Sequence, residues 1–270
     1  MLVKLIFLLS ALATASLQHS YQPAKASINA VQGVDFSGDP TGPEFRQKFA
    51  EFDAASLRCQ QEHRKSCHER NMNTTLLRLR DGSIFFDAKL AVDADGSSYW
   101  KSLPRSRRGT NSPNTSLRYP MKGRPSIDPD HVPYIVIPGG AFPKTLKVTV
   151  GDVAVVVYEK RLAYAVVGDI GPANQIGEGS LLLHANLEHP ACRTRNSAGQ
   201  CITIINQSID SGVMFFIFPE THCSLLEGLT PENINERIKE IASSRWHALK
   251  AKNHTSPATS AIVQCRNSRS

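Results

Sequence analysis

Apolar residues in the middle and second half of the chain fall in short β-branched runs bounded by Gly, Pro or charge. "VPYIVIP", "LKVTVGDVAVVVY", "RLAYAVVGDI" and "GVMFFIFP" each have the length and composition of a buried strand. Ahead of them, "DGSIFFDAKLAVDADGSSYW" predicts a turn at Asp81-Gly82, strands at Ile84–Phe86 and Leu90–Val92, and a turn at Asp95-Gly96. Helical spacing occurs at the two ends. Phe45, Phe49, Phe52, Ser56 and Cys59 predict an amphipathic helix opened by Pro43. "TPENINERIKEIASSRWHALK" predicts another, with Thr230 as N-cap, Pro231 at the first helical position, and Ile234, Ile238 and Ile241 on one face. "SLLLHANL" reads as a short buried helix. Many short strands with one helix among them argue against βαβ alternation. They predict a mainly β (α+β) fold, a closed β-barrel with N- and C-terminal helices. No internal repeat is visible.

The ends set the domain limits. "MLVKLIFLLSALATASLQ" has Lys4, an apolar stretch from Leu5 to Leu12 and Ala13-Thr14-Ala15, the layout of a secretory signal peptide cleaved after Ala15. Residues 16–42 read as a flexible leader, 43–250 as a single catalytic domain, and 251–270 as a tail. No later segment is long and apolar enough to cross a bilayer. Export fits the six cysteines, at 59, 67, 192, 201, 223 and 265, which an oxidising compartment would pair. Cys192 and Cys201 flank the polar loop "RTRNSAGQ" and can close it locally. Cys59 and Cys67, on one continuous helix, would stand roughly 12 Å apart and would pair elsewhere, with Cys223 or Cys265 among the choices. Sequons stand at Asn73, Asn114, Asn206 and Asn253.

Several chemistries are excluded. There is no G-x-S-x-G elbow, no H-E-x-x-H, no P-loop and no dinucleotide fingerprint. "VDADGSS" starts like a calcium loop, but its glycine comes too early and no closing Glu follows. No metal and no cofactor are called for. "RSRRG" could bind anions, and a solvated loop is the plainer reading. Carboxylates remain. Asp169 follows the apolar run Ala163–Val167, and Glu178 lies nine positions on, across a turn rich in glycine: "GDIGPANQIGEGS". Glycoside hydrolysis needs two carboxyl groups, one to protonate the leaving oxygen and one to activate water or attack carbon. The alternative is a structural turn, with Asp169 capping backbone and Glu178 in the first turn of a helix.

"YAVVGDIGPANQIGEGSLLL" resembles the core motif of glycoside hydrolase family 75, the chitosanases of fungi and bacteria. "IFFDAKLAVDADGS", "DPDHVPYIVIP", "VGDVAVVVY" and "FFIFP" resemble its other segments in order, so the likeness spans roughly Ile84 to Pro219. The resemblance implies a secreted endo-glycosidase that cuts β-1,4-linked glucosamine polymer with inversion. The essential acids carry over as Asp169 and Glu178, with Glu178 assigned as proton donor and Asp169 as base. A helix N-terminus at Glu178 would oppose that assignment by favouring its ionised form. The Gly-Asp turn also resembles that of double-psi β-barrels. Asp87, Lys89, Asp93 and Asp95 are the candidate substrate-binding residues.

Charge complicates the substrate. The formal net charge is +7, yet chitosan is itself a polycation. Asp81, Asp87, Asp93 and Asp95 against Lys89 and Lys101 make one acidic stretch in a basic chain, which can line a cleft. The expected partner is therefore a chitosan-like amino-sugar polymer, with no nucleic acid and no membrane after signal cleavage, and the protein is expected to be a monomer. Two other readings stay open: a non-catalytic basic module that binds an anionic polymer or partner, and a cell-wall enzyme acting on peptidoglycan.

Overall fold

The structure, a computed structural model, describes residues 21–37, 75–109, 111–205 and 208–251. The signal segment, the helix expected after Pro43 with Cys59 and Cys67, and the tail from 252 onward lie outside the described residues. The strands are β1 (Thr75–Arg78), β2 (Ile84–Asp93), β3 (Tyr134–Pro138), β4 (Val153–Tyr158), β5 (Arg161–Gly171), β6 (Glu178–Ser180), β7 (Cys192–Arg195), β8 (Cys201–Ile204) and β9 (Ile209–Phe218). The helices are α1 (Ser98–Ser102), α2 (Phe142–Leu146), α3 (Leu181–Asn186), α4 (His222–Leu226) and α5 (Ile234–Ala251).

Six strands close into a barrel in the order β2-β6-β3-β5-β4-β9, and β9 returns to β2. β1 adds to the first half of β2, and β6 takes the same edge further along. β2 is one continuous strand where two were expected. The ladder to β9 shifts register between Ala88 and Leu90, so the irregularity read as a break is a bulge in the pairing.

Period two sorts the side chains. Phe86, Ala88, Leu90, Ile135, Ile137, Val156, Ala165, Val167, Phe215 and Ile217 fill the barrel. Phe85, Tyr134, Val136, Val155, Val166, Met214 and Phe216 point outward and are covered by a second layer. α5 supplies that cover with Ile234, Ile238, Ala242 and Trp246, whose indole meets the Phe216 ring at 4.9 Å. α5 begins at Ile234, later than expected, after a turn at 231–233. Thr230 still caps it: its carbonyl accepts from the Ile234 N–H at 3.2 Å, and its own N–H donates to Asn233 Oδ1 at 2.9 Å.

Residues 21–37 also belong to the outer layer, where a flexible leader was expected. Val31 and Phe36 are buried, and the Phe36 ring packs on Phe85 at 4.9 Å. Two apolar anchors in a polar stretch leave no periodicity to read. The local disulfide expected of Cys192 and Cys201 forms and closes the β7–β8 hairpin, and Cys223 on α4 is disulfide-bonded as well.

The buried Asp152 ties the start of β4 to the end of β9. One carboxylate oxygen accepts from Thr149 N at 2.7 Å, the other from Thr221 N at 3.0 Å, His222 N at 3.1 Å and His222 Nδ1 at 2.9 Å. Asp152→Ala leaves the Thr149, Thr221 and His222 N–H groups without their acceptor, the Thr221 one fully buried, and is expected to cost about 3 kcal/mol, read as a lowered urea midpoint. Asp152→Asn keeps an acceptor and should lose less.

Candidate active site

Both acids of the glycine-rich segment stand on the outside of the barrel, and a bulge puts one of them there. Along β3 and β5, Tyr134 pairs with Val166 and Ile135 with Val167, but Val136 pairs with Asp169. Gly168 is the extra residue. Simple alternation from the interior Val167 would turn Asp169 into the barrel; the bulge turns it to the face of Val136. A Cβ at residue 168 would lie 2.6 Å from Tyr134 Cβ and 2.8 Å from Ile127 Cδ1, so only glycine fits. On the other side of β3, Val136 pairs with Glu178 of β6. One residue thus has Asp169 and Glu178 as its two lateral neighbours. Two interstrand spacings set their Cα atoms roughly 9.5 Å apart.

β2 brings the third and fourth acids. It runs parallel to β6, with Ala91 opposite Glu178 and Asp93 opposite Ser180. Asp87, Lys89, Ala91 and Asp93 share its outer face. Carboxylate oxygens of Asp93, Asp95 and Asp169 lie within 4.8 Å of one another, a grouping that could hold a cation. Asp95 is held from three sides. Its N–H donates to Asp93 Oδ1 at 2.7 Å, its carboxylate accepts from Ser112 N at 2.6 Å, and its carbonyl accepts from the buried Tyr134 hydroxyl at 2.9 Å.

Asp169 is buried under the loop that precedes β3. Its Oδ1 accepts from Ser116 N at 2.9 Å, Ser116 Oγ at 2.5 Å and Ile170 N at 2.7 Å, which leaves Oδ2 outside this set of bonds. Glu178 accepts from the Gln175 amide. Burial pushes the Glu178 carboxyl up from its ordinary value; Lys89 and the Gln175 bond pull against that, and the Asp169 charge adds to it. Burial also pushes Asp95 up, to about 6, opposed by the Ser112 N–H and reinforced by Asp169 and Glu178. Asp93 is raised well above the usual carboxylate range, first by burial and then by Asp95.

The helix-start argument about Glu178 does not apply. Glu178 lies on extended β6, and Ser180 is the N-cap of α3, its hydroxyl accepting from Leu183 N at 3.2 Å. The same hydroxyl donates to Val132 O and accepts from Tyr134 N, binding β6 to β3.

Of the residues singled out in the sequence, the structure brings Asp169, Glu178, Asp93, Asp95 and Lys89 together. Asp87 is elsewhere. It sits lower on the same face, buried under residues 21–37, where it accepts from the Tyr21 hydroxyl; burial raises it to about 7. Ser116, Gln175 and Tyr134 carried no signal of their own, since each acts through a contact distant in sequence or through a turn.

A cluster of buried and half-buried carboxyl groups, with Glu178, Asp93 and Asp95 raised to different degrees, on the outside of a closed barrel is the equipment of a glycoside hydrolase. Residues 90–238, more than half of the chain, match the family described as fungal chitosanase of glycosyl hydrolase group 75, and the chain belongs to that family. No curated protein matches the chain. No helix among the described residues is long and apolar enough to cross a membrane.

Gly168→Ala tests the bulge. It should cost about 1–3 kcal/mol by overpacking against Tyr134 and, by displacing Asp169, lower turnover more than a second variant of equal stability loss far from the cleft. Melting and turnover measured on both variants decide it.

Proposed function

We propose that the protein is a secreted endo-acting chitosanase that cleaves β-1,4 linkages of glucosamine polymer with inversion of configuration. The observation that carries this is the pairing of Val136 with Asp169 on one side and Glu178 on the other. Inverting enzymes need carboxyl groups roughly 6.5–9.5 Å apart, with room for water between. Acids two strands apart and on one face suit that spacing.

The roles follow from the environments. Glu178, raised by burial and by Asp169, holds a proton at neutral pH more readily than an exposed glutamate and protonates the leaving glycosidic oxygen. Lys89 beside it then favours the carboxylate left behind. Asp169 has one oxygen saturated by three donors and uses the other to take a proton from water as that water attacks the anomeric carbon from the opposite face. Positive charge develops on the sugar in the transition state, and the Asp95 carboxylate near Asp169 stabilises it. The same carboxylate receives the ammonium groups of glucosamine. Asp87, enclosed by Tyr21, has no part in this. The catalytic domain is proposed to span 43–250 together with the packed segment 21–37, to be exported after loss of 1–15, and to act as a monomer.

Glu178→Gln and Asp169→Asn should each lower turnover of soluble chitosan by roughly 10²–10⁴ with little change in melting, followed by reducing ends released. Proton NMR of the first products should show the α-anomer. Unchanged turnover in both variants, or cleavage of peptidoglycan instead of chitosan, would sink the proposal.

The pH dependence has a defined sign. Asp95 must be ionised to pair with ammonium, and its value is about 6. KM for chitosan should therefore rise as pH falls through about 6, and Asp95→Asn should flatten that rise while raising KM at neutral pH.

A further inference from the structure

Behind the acid cleft lies a second groove, of about 540 Å³, between the end of β2, residues 100, 107–109 and 111, and β8. Val92, Trp100 and Ile204 make its floor, and Arg107, Arg108 and Asn111 stand on its rim. Val92 points away from the face that carries Asp93, so the groove backs onto the cleft and does not extend it. Among the described residues no Asp or Glu lines it. Arg108 is committed to the backbone, donating from Nε to Leu103 O at 2.8 Å and from Nη2 to Lys101 O at 3.0 Å. Asn111 donates to Arg108 O at 3.0 Å. These bonds fix the rim. The Arg107 guanidinium is exposed and makes no hydrogen bond or ion pair among the described residues.

We propose that this groove is a second carbohydrate-binding site, for a saccharide that carries carboxylates. The apolar face of a sugar ring suits an indole flanked by aliphatic side chains. A free guanidinium suits a carboxylate, which it grips with two parallel hydrogen bonds. Glucosamine fits poorly, because its ammonium would meet Arg107 and Arg108 with no acid to offset them. The charge of the groove is thus opposite to that of the cleft. The protein would hold an acidic saccharide on one side of β2 and, if the proposed function holds, cut a basic one on the other.

Binding is read without turnover, so the test is independent of hydrolysis. Hyaluronan tetrasaccharide offers a carboxylate on the ring, and an O-carboxymethyl chitin tetramer, N-acetylated and so without ammonium groups, offers one on an ether arm; chitin tetramer is the neutral control. Calorimetry and tryptophan fluorescence follow each at low and high salt. Trp246, on the inward face of α5, is buried, so Trp100 is the reporter. At least one acidic oligomer should bind tenfold or more tighter than chitin tetramer, and less tightly as salt rises. Which of the two binds identifies the position of the carboxylate, and binding of both supports the site equally. Arg107→Glu, at an exposed position, should weaken that binding at least tenfold with melting unchanged. Asp169→Asn should leave it untouched, and Trp100→Phe should remove the fluorescence change. Equal affinity for acidic and neutral tetramers, wild-type binding by Arg107→Glu, or loss of binding in Asp169→Asn would each overturn the proposal.

Discussion

The double pairing of β2 is the constraint on which both the barrel and the cleft depend. One edge of the strand closes the ring against β9, and the other meets β1 first and then β6. A sheet that closes has no exposed edge, so its register is set all round. Fixing β2 against β6 puts Ala91 opposite Glu178 and therefore Asp93 one turn of the pleat above it. Gly177 shows how tight that join is. Its φ is +80, and a Cβ there would stand 2.1 Å from the Lys89 carbonyl oxygen. The last glycines of the GDIGPANQIGEGS segment thus serve strand closure, while Gly168 at its head serves the bulge.

Closure also explains why the acids differ. All four are brought to one corner of the outer surface, but each meets a different set of donors. Asp169 is surrounded by N–H and hydroxyl groups from the loop above it. Glu178 has an amide and a nearby lysine. Asp93 has one backbone N–H and a carboxylate neighbour. Four carboxylates this close cannot all ionise freely. Burial raises Asp93, Asp95 and Glu178, and the N–H and amide donors and Lys89 oppose it unequally, which is the inequality acid–base hydrolysis requires.

Much of this was legible in the sequence. β3, β4, β5 and β9 announce themselves as β-branched runs, α5 by its isoleucine spacing, and the Cys192–Cys201 bridge by the polar loop between its ends. The acid pair stood out because polar residues follow apolar runs there. What was hidden depends on register. A sequence read with period two places Asp169 inside the barrel; the bulge at Gly168 is needed to place it outside. The same limit applied to β2, where an acidic stretch was legible, but neither the single strand that puts Asp87, Lys89 and Asp93 on one face nor the cover that residues 21–37 lay over the first of them was. Val31, Phe36 and Tyr21, with Ala30 and Val34 beside them, seat that cover, and their spacing carries no periodic signal.

The basic charge of the chain and the basic charge of chitosan oppose each other only on average. Beyond about 10 Å a surface charge is screened at ordinary ionic strength. What a sugar ring feels in the cleft is therefore set by Asp93, Asp95, Asp169 and Glu178 against Lys89, a local excess of acid inside a chain of net charge +7. The arginines of 105–108 lie on the segment after α1, across β2 from these acids. β2 thus separates a group of acidic side chains from a group of arginines, so the charge that a ligand meets depends on the side of the strand it approaches.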